Sequence, residues 1–279
     1  MKRLAIGVFA GLSVLAGITG CKPDAAVQKA EVLGRGSKDP GPAPVVPSQS
    51  TPDSAPVAAL DPATLGSASG VVLFHGKAPA PVLIDTSMDP ACGMGPAKGP
   101  VHSEQIVVSG DKLANVFVYV KSGPPQIASA PRPTTPVVLD QQGCKYVPHV
   151  IGVVHGGYVE FHNSDITMHN IHTMPTVVGN ETIDVSQGPK GTPKVKQMQL
   201  SELMVPVRCN NHPWMNAYIN IAPTPFFAVT DATGKFEIKG LPAGDYVLAA
   251  VQEKLGEQDL NITVPAQGTA KADFAFAAK

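Results

Sequence analysis

One short stretch of the sequence gathers cysteine, histidine and methionine: Cys209-Asn210-Asn211-His212-Pro213-Trp214-Met215. The spacing Cys-x2-His-x2-Met lets one tight loop offer a thiolate, an imidazole and a thioether. Two more histidines, His169 and His172, lie about forty residues upstream. Soft sulfur combined with neutral nitrogen suits a soft or borderline transition metal. Zinc takes stronger fourth ligands than a thioether, so Met215 argues against it. On a strand, positions 169 and 172 point to opposite faces, so only one of them can meet a metal held by the loop. The alternative for Cys209 is burial as a small apolar residue, with His212 as a satisfied polar neighbour. That alternative leaves the upstream histidines and Met215 unexplained. His75, His102, His149, His155 and His162 have no partner at ligand spacing and read as turn or surface residues.

Strands must position these groups. Gly (27) and Pro (28) are abundant and charged residues make up only 15% of the chain, which argues against a helical bundle. From residue 67 onward, short β-rich runs alternate with turns: 70–74, 115–120, 153–154, 158–161, 218–221, 226–230, 235–238, 246–251, 260–264 and 272–276. No long segment has a helical period, so the expected class is all-β, one sandwich or two.

The N-terminus reads as an address. Lys2 and Arg3 precede an apolar run from Leu4 to Leu15, and Ile18-Thr19-Gly20-Cys21 closes it. This resembles the bacterial lipobox, which implies a signal peptide at 1–20 and a lipid on Cys21. It places the protein in the periplasm or cell envelope, anchored to a membrane by that lipid. Residues 21–63 are rich in proline and alanine without periodicity and read as a tether. The net charge of −1, without basic runs, gives no field for nucleic acid.

Two family resemblances sharpen the picture. The stretch from Val229 to Phe236, followed by Gly240-Leu241-Pro242-Ala243-Gly244-Asp245-Tyr246, resembles the second half of a carboxypeptidase-regulatory-like domain, a small transthyretin-like sandwich. Ser69 to Gly76 and Asn115 to Val120 loosely fit its first half. Gly156-Gly157-Tyr158-Val159-Glu160-Phe161-His162-Asn163, His169-Asn170-Ile171 and the 209–215 loop resemble a cupredoxin of the plastocyanin and amicyanin kind. The expected fold is therefore all-β: a cupredoxin-like Greek-key β-sandwich inserted in, or in tandem with, a transthyretin-like β-sandwich. The expected segments are 64–129 and 225–279 for the regulatory-like sandwich and 130–224 for the copper domain.

The cupredoxin resemblance implies one mononuclear Cu(I)/Cu(II) site with His169, Cys209, His212 and Met215 as ligands. It selects His169 over His172 through the His169-Asn170 pair. Asn170, Asn210 and Pro213 would steady the loop, and Trp214 would either border a docking surface or pack beneath the loop. With Cys21 on lipid and Cys209 on metal, a Cys92–Cys144 disulfide is the parsimonious use of the remaining pair in an oxidising compartment. Two free thiols, or a second metal ligand, are the alternatives.

The expected function is single-electron transfer to an extracytoplasmic redox protein, such as a cytochrome c or a dehydrogenase. Copper storage or delivery, and a structural lipoprotein with a stabilising metal, are the alternatives. An enzyme is not expected, because the motifs offer no nucleophile–base pair, phosphate loop or open-site metal triad.

Overall fold

The structure, a computed structural model, describes residues 60–94 and 99–278. The expected signal peptide, the lipidation site Cys21 and the tether up to residue 59 lie outside the described residues. Among the described residues, no helix is long and apolar enough to cross a membrane. The chain there is all-β, with three short 3-10 turns at Pro62–Thr64, Pro90–Gly93 and Pro125–Ser129.

The first strands are β1 (Gly66–His75), β2 (Val108–Ser109), β3 (Lys112–Leu113) and β4 (Phe117–Ser122). A middle group follows: β5 (Val137–Gln141), β6 (Tyr146–Val147), β7 (Val150–Val154), β8 (Tyr158–Asn163), β9 (His169–Thr173), β10 (Asp184–Gln187), β11 (Lys194–Gln197), β12 (Glu202–Arg208) and β13 (Asn216–Ala222). The last are β14 (Phe227–Val229), β15 (Lys235–Leu241), β16 (Gly244–Gln252), β17 (Gly256–Val264), β18 (Thr269–Lys271) and β19 (Phe274–Ala277).

The first and last groups make one pair of sheets. β1 is its hub: it pairs with β15 and β3, while β18 and then β19 run parallel beside it. At the handover between those two strands, a Cβ on Gly70 would lie 1.8 Å from the Ala272 carbonyl oxygen, so only glycine fits. The facing sheet has the order β14-β4-β16-β17. Val72, Phe74, Leu113, Val118, Phe236, Ile238, Leu248 and Phe276 fill the space between.

β4 and β14 are far apart in sequence but hydrogen-bonded neighbours, with Tyr119 opposite Phe227. The chain leaves this sheet after β4 and re-enters beside it. The residues between form a second pair of sheets, β10-β9-β12-β13-β7 and β11-β8-β5-β6, around Leu139, Phe161, Ile171, Val207 and Ile219. The two sandwiches touch where Phe117 and Tyr119 of β4, with Ala249 and Val251 of β16, meet Val150 and Ala222. Both faces of β4 are therefore buried, which explains its unbroken apolar run. At that contact, a Cβ on Gly152 would come within 2.5 Å of the Phe227 ring and 2.6 Å of the Phe117 ring.

Two local features shape the inserted sandwich. The Gly156-Gly157 turn joins β7 and β8 across different sheets and closes no hairpin. β12 is a central strand that contains Pro206, which cannot donate to a ladder. It is tolerated because β9 pairs only with Val207 and Arg208. The strand also bulges between Glu202 and Val205, where the Met204 N–H turns to the Asn220 Oδ1 at 2.9 Å.

Candidate metal centre

β9 and β12 lie side by side, with His172 opposite Arg208. His169 opens β9, and Cys209 directly follows the last residue of β12. The 209–215 loop then returns the chain into β13. Its tight turn is set by Pro213: the Met215 N–H bonds back to the His212 carbonyl at 2.9 Å, and proline fits the second position of such a turn. A second bond, from the Cys209 N–H to the Met215 carbonyl at 3.4 Å, closes the loop.

Three of the expected ligands converge. Nδ1 of His169 lies 3.0 Å from Nδ1 of His212, and Sγ of Cys209 lies 3.6 Å from the latter. All three side chains are buried, at 0%, 3% and 3% exposure for His169, Cys209 and His212. Met215 is buried in the same core cluster as Cys209. His172 faces away, as the alternation argument requires: it is part-exposed, and its Nδ1 lies 3.1 Å from Asn210 Oδ1.

Asn170 braces the centre from β9. Its backbone N–H points at the Cys209 sulfur at 3.4 Å, and its side-chain oxygen accepts from the Asn210 N–H at 3.3 Å. Its side-chain amide donates to Asp184 at 2.8 Å. Tyr146 donates its O–H to the Asn170 carbonyl, fixing the strand from below.

Two carboxylates orient the imidazoles, and sequence reasoning did not find either of them. Nε2 of His169 donates to Asp165 at 2.9 Å, and Nε2 of His212 donates to Asp89 at 3.0 Å. Asp165 also accepts from the Gly143 and Cys144 N–H groups at 2.7 and 2.8 Å. Asp89 accepts from the Thr167 hydroxyl at 2.7 Å and caps the Pro90–Gly93 turn through the Ala91 N–H. A disulfide joins Cys92 to Cys144 and so ties these two acidic sites together. Two signals lay in the sequence: an acid four residues before His169, and an Asp-Pro pair three residues before Cys92.

These clamps fix the chemistry inside. With both Nε2 atoms donating outward, the two Nδ1 atoms and the thiol sulfur turn inward. Two facing nitrogens at 3.0 Å need a proton or a cation between them. Burial pushes the Cys209 thiol up, but hydrogen bonds from His169, His212 and the backbone N–H groups of Asn211 and Asn170 outweigh it and hold the thiol at about 6. Burial pulls His169 down, but Asp165 and Cys209 together raise it to about 9. Burial pushes the Asp165 carboxyl up, yet the bonds from His169, Cys144 and Gly143 keep it below the usual carboxylate range. Near neutral pH the centre is a thiolate beside an imidazolium, and a cation can take the place of that proton. Two imidazoles, a thiolate and a neighbouring buried thioether fit copper well.

The remaining expected residues fall around this core. Trp214 is half-buried; its ring centre lies 5.0 Å from that of His212, and its indole N–H bonds to the Cys144 carbonyl at 3.1 Å. Pro213 is exposed. The outer edge of His212 is covered by Asp89 from the excursion between β1 and β2. His149 is neither a ligand nor a surface group: it lies buried between the Asn216 carbonyl at 3.1 Å and Glu253 at 2.9 Å.

No protein-family model matches the chain, and no curated protein sequence matches it. Some solved structures are similar over part of it. A copper-containing nitrite reductase from Thermus scotoductus SA-01 is 19% identical over 54% of this chain, with a TM-score of 0.29. The alignment spans 28% of that reductase. Amicyanin from Paracoccus versutus is 18% identical over 38% of this chain and 97% of its own, with a TM-score of 0.29. A purple cupredoxin from Nitrosopumilus maritimus is 16% identical over 31% of this chain and 99% of its own, with a TM-score of 0.26. At these scores the likenesses do not assign the chain to a family.

Proposed function

We propose that the protein is a membrane-tethered, extracytoplasmic blue (type 1) copper protein that carries single electrons between redox partners. One observation carries this reading: the inward-facing cluster of His169 Nδ1, His212 Nδ1 and Cys209 Sγ, whose ligand atoms lie within 4.8 Å of one another. A bound copper ion supplies a Cu(II)/Cu(I) couple, and a set of soft sulfur and neutral nitrogen serves both states. His169 and His212 are held at their outer nitrogens by Asp165 and Asp89, so neither ring has to rotate to bind. Asn170 N–H bonds to the sulfur and limits its movement. The burial of all three side chains excludes water as a competing ligand. The partner class is an extracytoplasmic cytochrome c or dehydrogenase, and no bond chemistry at the centre is required.

Visible absorption and EPR of the Cu(II)-loaded chain test this, with Cys209→Ser as control. The reading predicts an intense thiolate-to-copper band with narrow copper hyperfine splitting, lost in the variant, and reversible redox cycling without metal loss. Weak absorption insensitive to Cys209→Ser contradicts it.

A specific observation favours a second reading, copper delivery. Met88, Met94 and Met168 are 73%, 68% and 51% exposed, on the segments that carry Asp89 and His169. Exposed thioethers there could pass Cu(I) inward. Ready release of Cu(I) to a chelator, without stable cycling, would favour delivery over electron transfer.

A further inference from the structure

We propose that Glu253 and His149 are positioning residues of the metal centre: by holding the Asn216 carbonyl, they fix the point where the ligand loop re-enters β13, and with it the reach of the Met215 thioether toward the copper. The host sandwich thereby helps to set the reduction potential of a centre that lies in the insert. This rests on the reading of residues 209–215 as the ligand loop.

The hydrogen bonds run in one line from the host to the loop. Glu253 stands in the host turn between β16 and β17, which Gln252 Oε1 stiffens by accepting from the Lys254 N–H at 2.7 Å and the Leu255 N–H at 3.0 Å. Glu253 Oε1 lies 2.9 Å from His149 Nε2, and the two side chains are sealed, at 2% and 3% exposure for Glu253 and His149. On the far side of the ring, Nδ1 donates to the Asn216 carbonyl at 3.1 Å. A carbonyl only accepts, so Nδ1 carries a hydrogen, and one more proton lies between Nε2 and the carboxylate. The carboxylate thus fixes which way the ring faces. Asn216 opens β13 and directly follows Met215. Backbone pairing between β13 and β7 begins only at Tyr218 and Val150, so the Asn216 carbonyl lies outside that ladder and takes its bond from the imidazole. The Asn216 side-chain amide donates in turn to the Trp214 carbonyl at 3.0 Å. Met215, 2% exposed, is therefore held between two residues that this relay secures.

A buried acid–imidazole pair is a weak source of stability, because desolvation offsets most of its attraction. The apolar cluster of Phe117, Val150 and Val251 already joins the two sandwiches. What apolar contact lacks is direction. A hydrogen bond to one carbonyl sets the backbone beside it, and here that backbone carries the last ligand of the loop. An axial thioether bonds weakly and at long range, so a small displacement changes its share in the copper's bonding and shifts the Cu(II)/Cu(I) balance. The other ligands have their own supports in Asp165, Asp89 and Asn170. Met215 is served from the host.

The test follows Glu253→Ala in the full chain by the Cu(II)/Cu(I) equilibrium against a redox mediator, by copper EPR, and by the NMR signal of the Met215 methyl group in metal-free protein with isotope-labelled methionine. The expected result is an equilibrium shifted by about tenfold, an altered EPR rhombicity with the thiolate band retained, and a displaced Met215 methyl signal. Glu253→Gln, whose amide N–H can still donate to His149 Nε2 while Nδ1–H stays on the Asn216 carbonyl, should remain near the parent. In a Met215→Leu background, Glu253→Ala should shift the equilibrium no further. Should Glu253→Ala fail to fold, Glu253→Asp, which draws the carboxylate back from the ring, serves instead. Parent-like values in the folded variant, or the same shift in the Met215→Leu background, overturn the proposal. The methyl signal needs no copper, so it tests the relay even where no blue band forms, and the two readings fail separately.

Discussion

In the host sandwich, the space between the sheets is filled by carbon: Val72, Phe74, Leu113, Ile238, Leu248 and Phe276 meet there, and the one titratable side chain in the cluster, Tyr246, is satisfied by the Pro242 carbonyl. In the inserted sandwich, the same kind of space ends in Asp165, His169, Asn170, Cys209 and His212. Among the described residues, the host buries few polar side chains: Thr230 just after β14, Gln252 of β16, the Tyr246 hydroxyl on the Pro242 carbonyl, and Glu253, which pairs with His149 of the insert. Buried polar groups cost free energy unless each is paired, whereas buried apolar area stabilises without direction. The difference assigns tasks: the host supplies stability, and the insert holds a reactive cluster that packing alone does not explain. The host also reaches across, since Asp89 and Cys92 come from the excursion between its β1 and β2.

The sharpest way to break this division is to remove the thiolate. Cys209→Ser should abolish the thiolate-to-copper band entirely while the metal-free variant keeps the β-rich circular dichroism of the parent. Next in size, Phe276→Ala empties a site that is 1% exposed in the host core. It should cost about 3–5 kcal/mol in denaturant unfolding and leave the copper spectrum of the folded fraction intact. A spectral change there would mean that the two interiors are not separate.

Smaller effects probe the clamps. Asp165→Asn keeps the shape but loses the charge that holds the His169 tautomer, and copper affinity should fall by about 10–100-fold in chelator competition. Asp89→Asn should fall less, because Asp89 is 24% exposed against 5% for Asp165. Equal losses would show that burial does not set the strength of the clamps.

The pH dependence of the metal-free protein follows from the thiolate–imidazolium pair. The Cys209 thiol is lowered from 9.0 to about 6, so its contribution to stability is lost as pH falls through about 6. His169 is raised from 6.5 to about 9, so its contribution is lost as pH rises through about 9. Between about 6.5 and 9 the two contributions change in opposite directions and nearly cancel, so the melting temperature should vary little with pH there, and Cys209→Ser should expose the imidazole's part as a fall with rising pH.

Much of the centre was legible because ligand chemistry is local. Cys209, His212 and Met215 lie within seven residues, and strand alternation with the His169-Asn170 pair separated His169 from His172. β4 and β16 were legible from their apolar runs. What was hidden depends on tertiary placement. Asp89 reaches His212 only through a long excursion, which no local pattern encodes. Asp165 had a spacing cue, but an acid four residues from a histidine is common outside helices. β12 was masked by Pro206 and β10 by its alternation of polar residues. The covering of His212 by Asp89 was equally invisible, since it needs the excursion and the loop in one place.

The most direct test of the central claim is X-ray absorption at the copper edge of the Cu(II)-loaded full chain. The account predicts two nitrogen scatterers and one short sulfur scatterer, the sulfur vanishing in Cys209→Ser and one nitrogen in His169→Ala. A shell of only nitrogen and oxygen, or one unchanged in both variants, would contradict it.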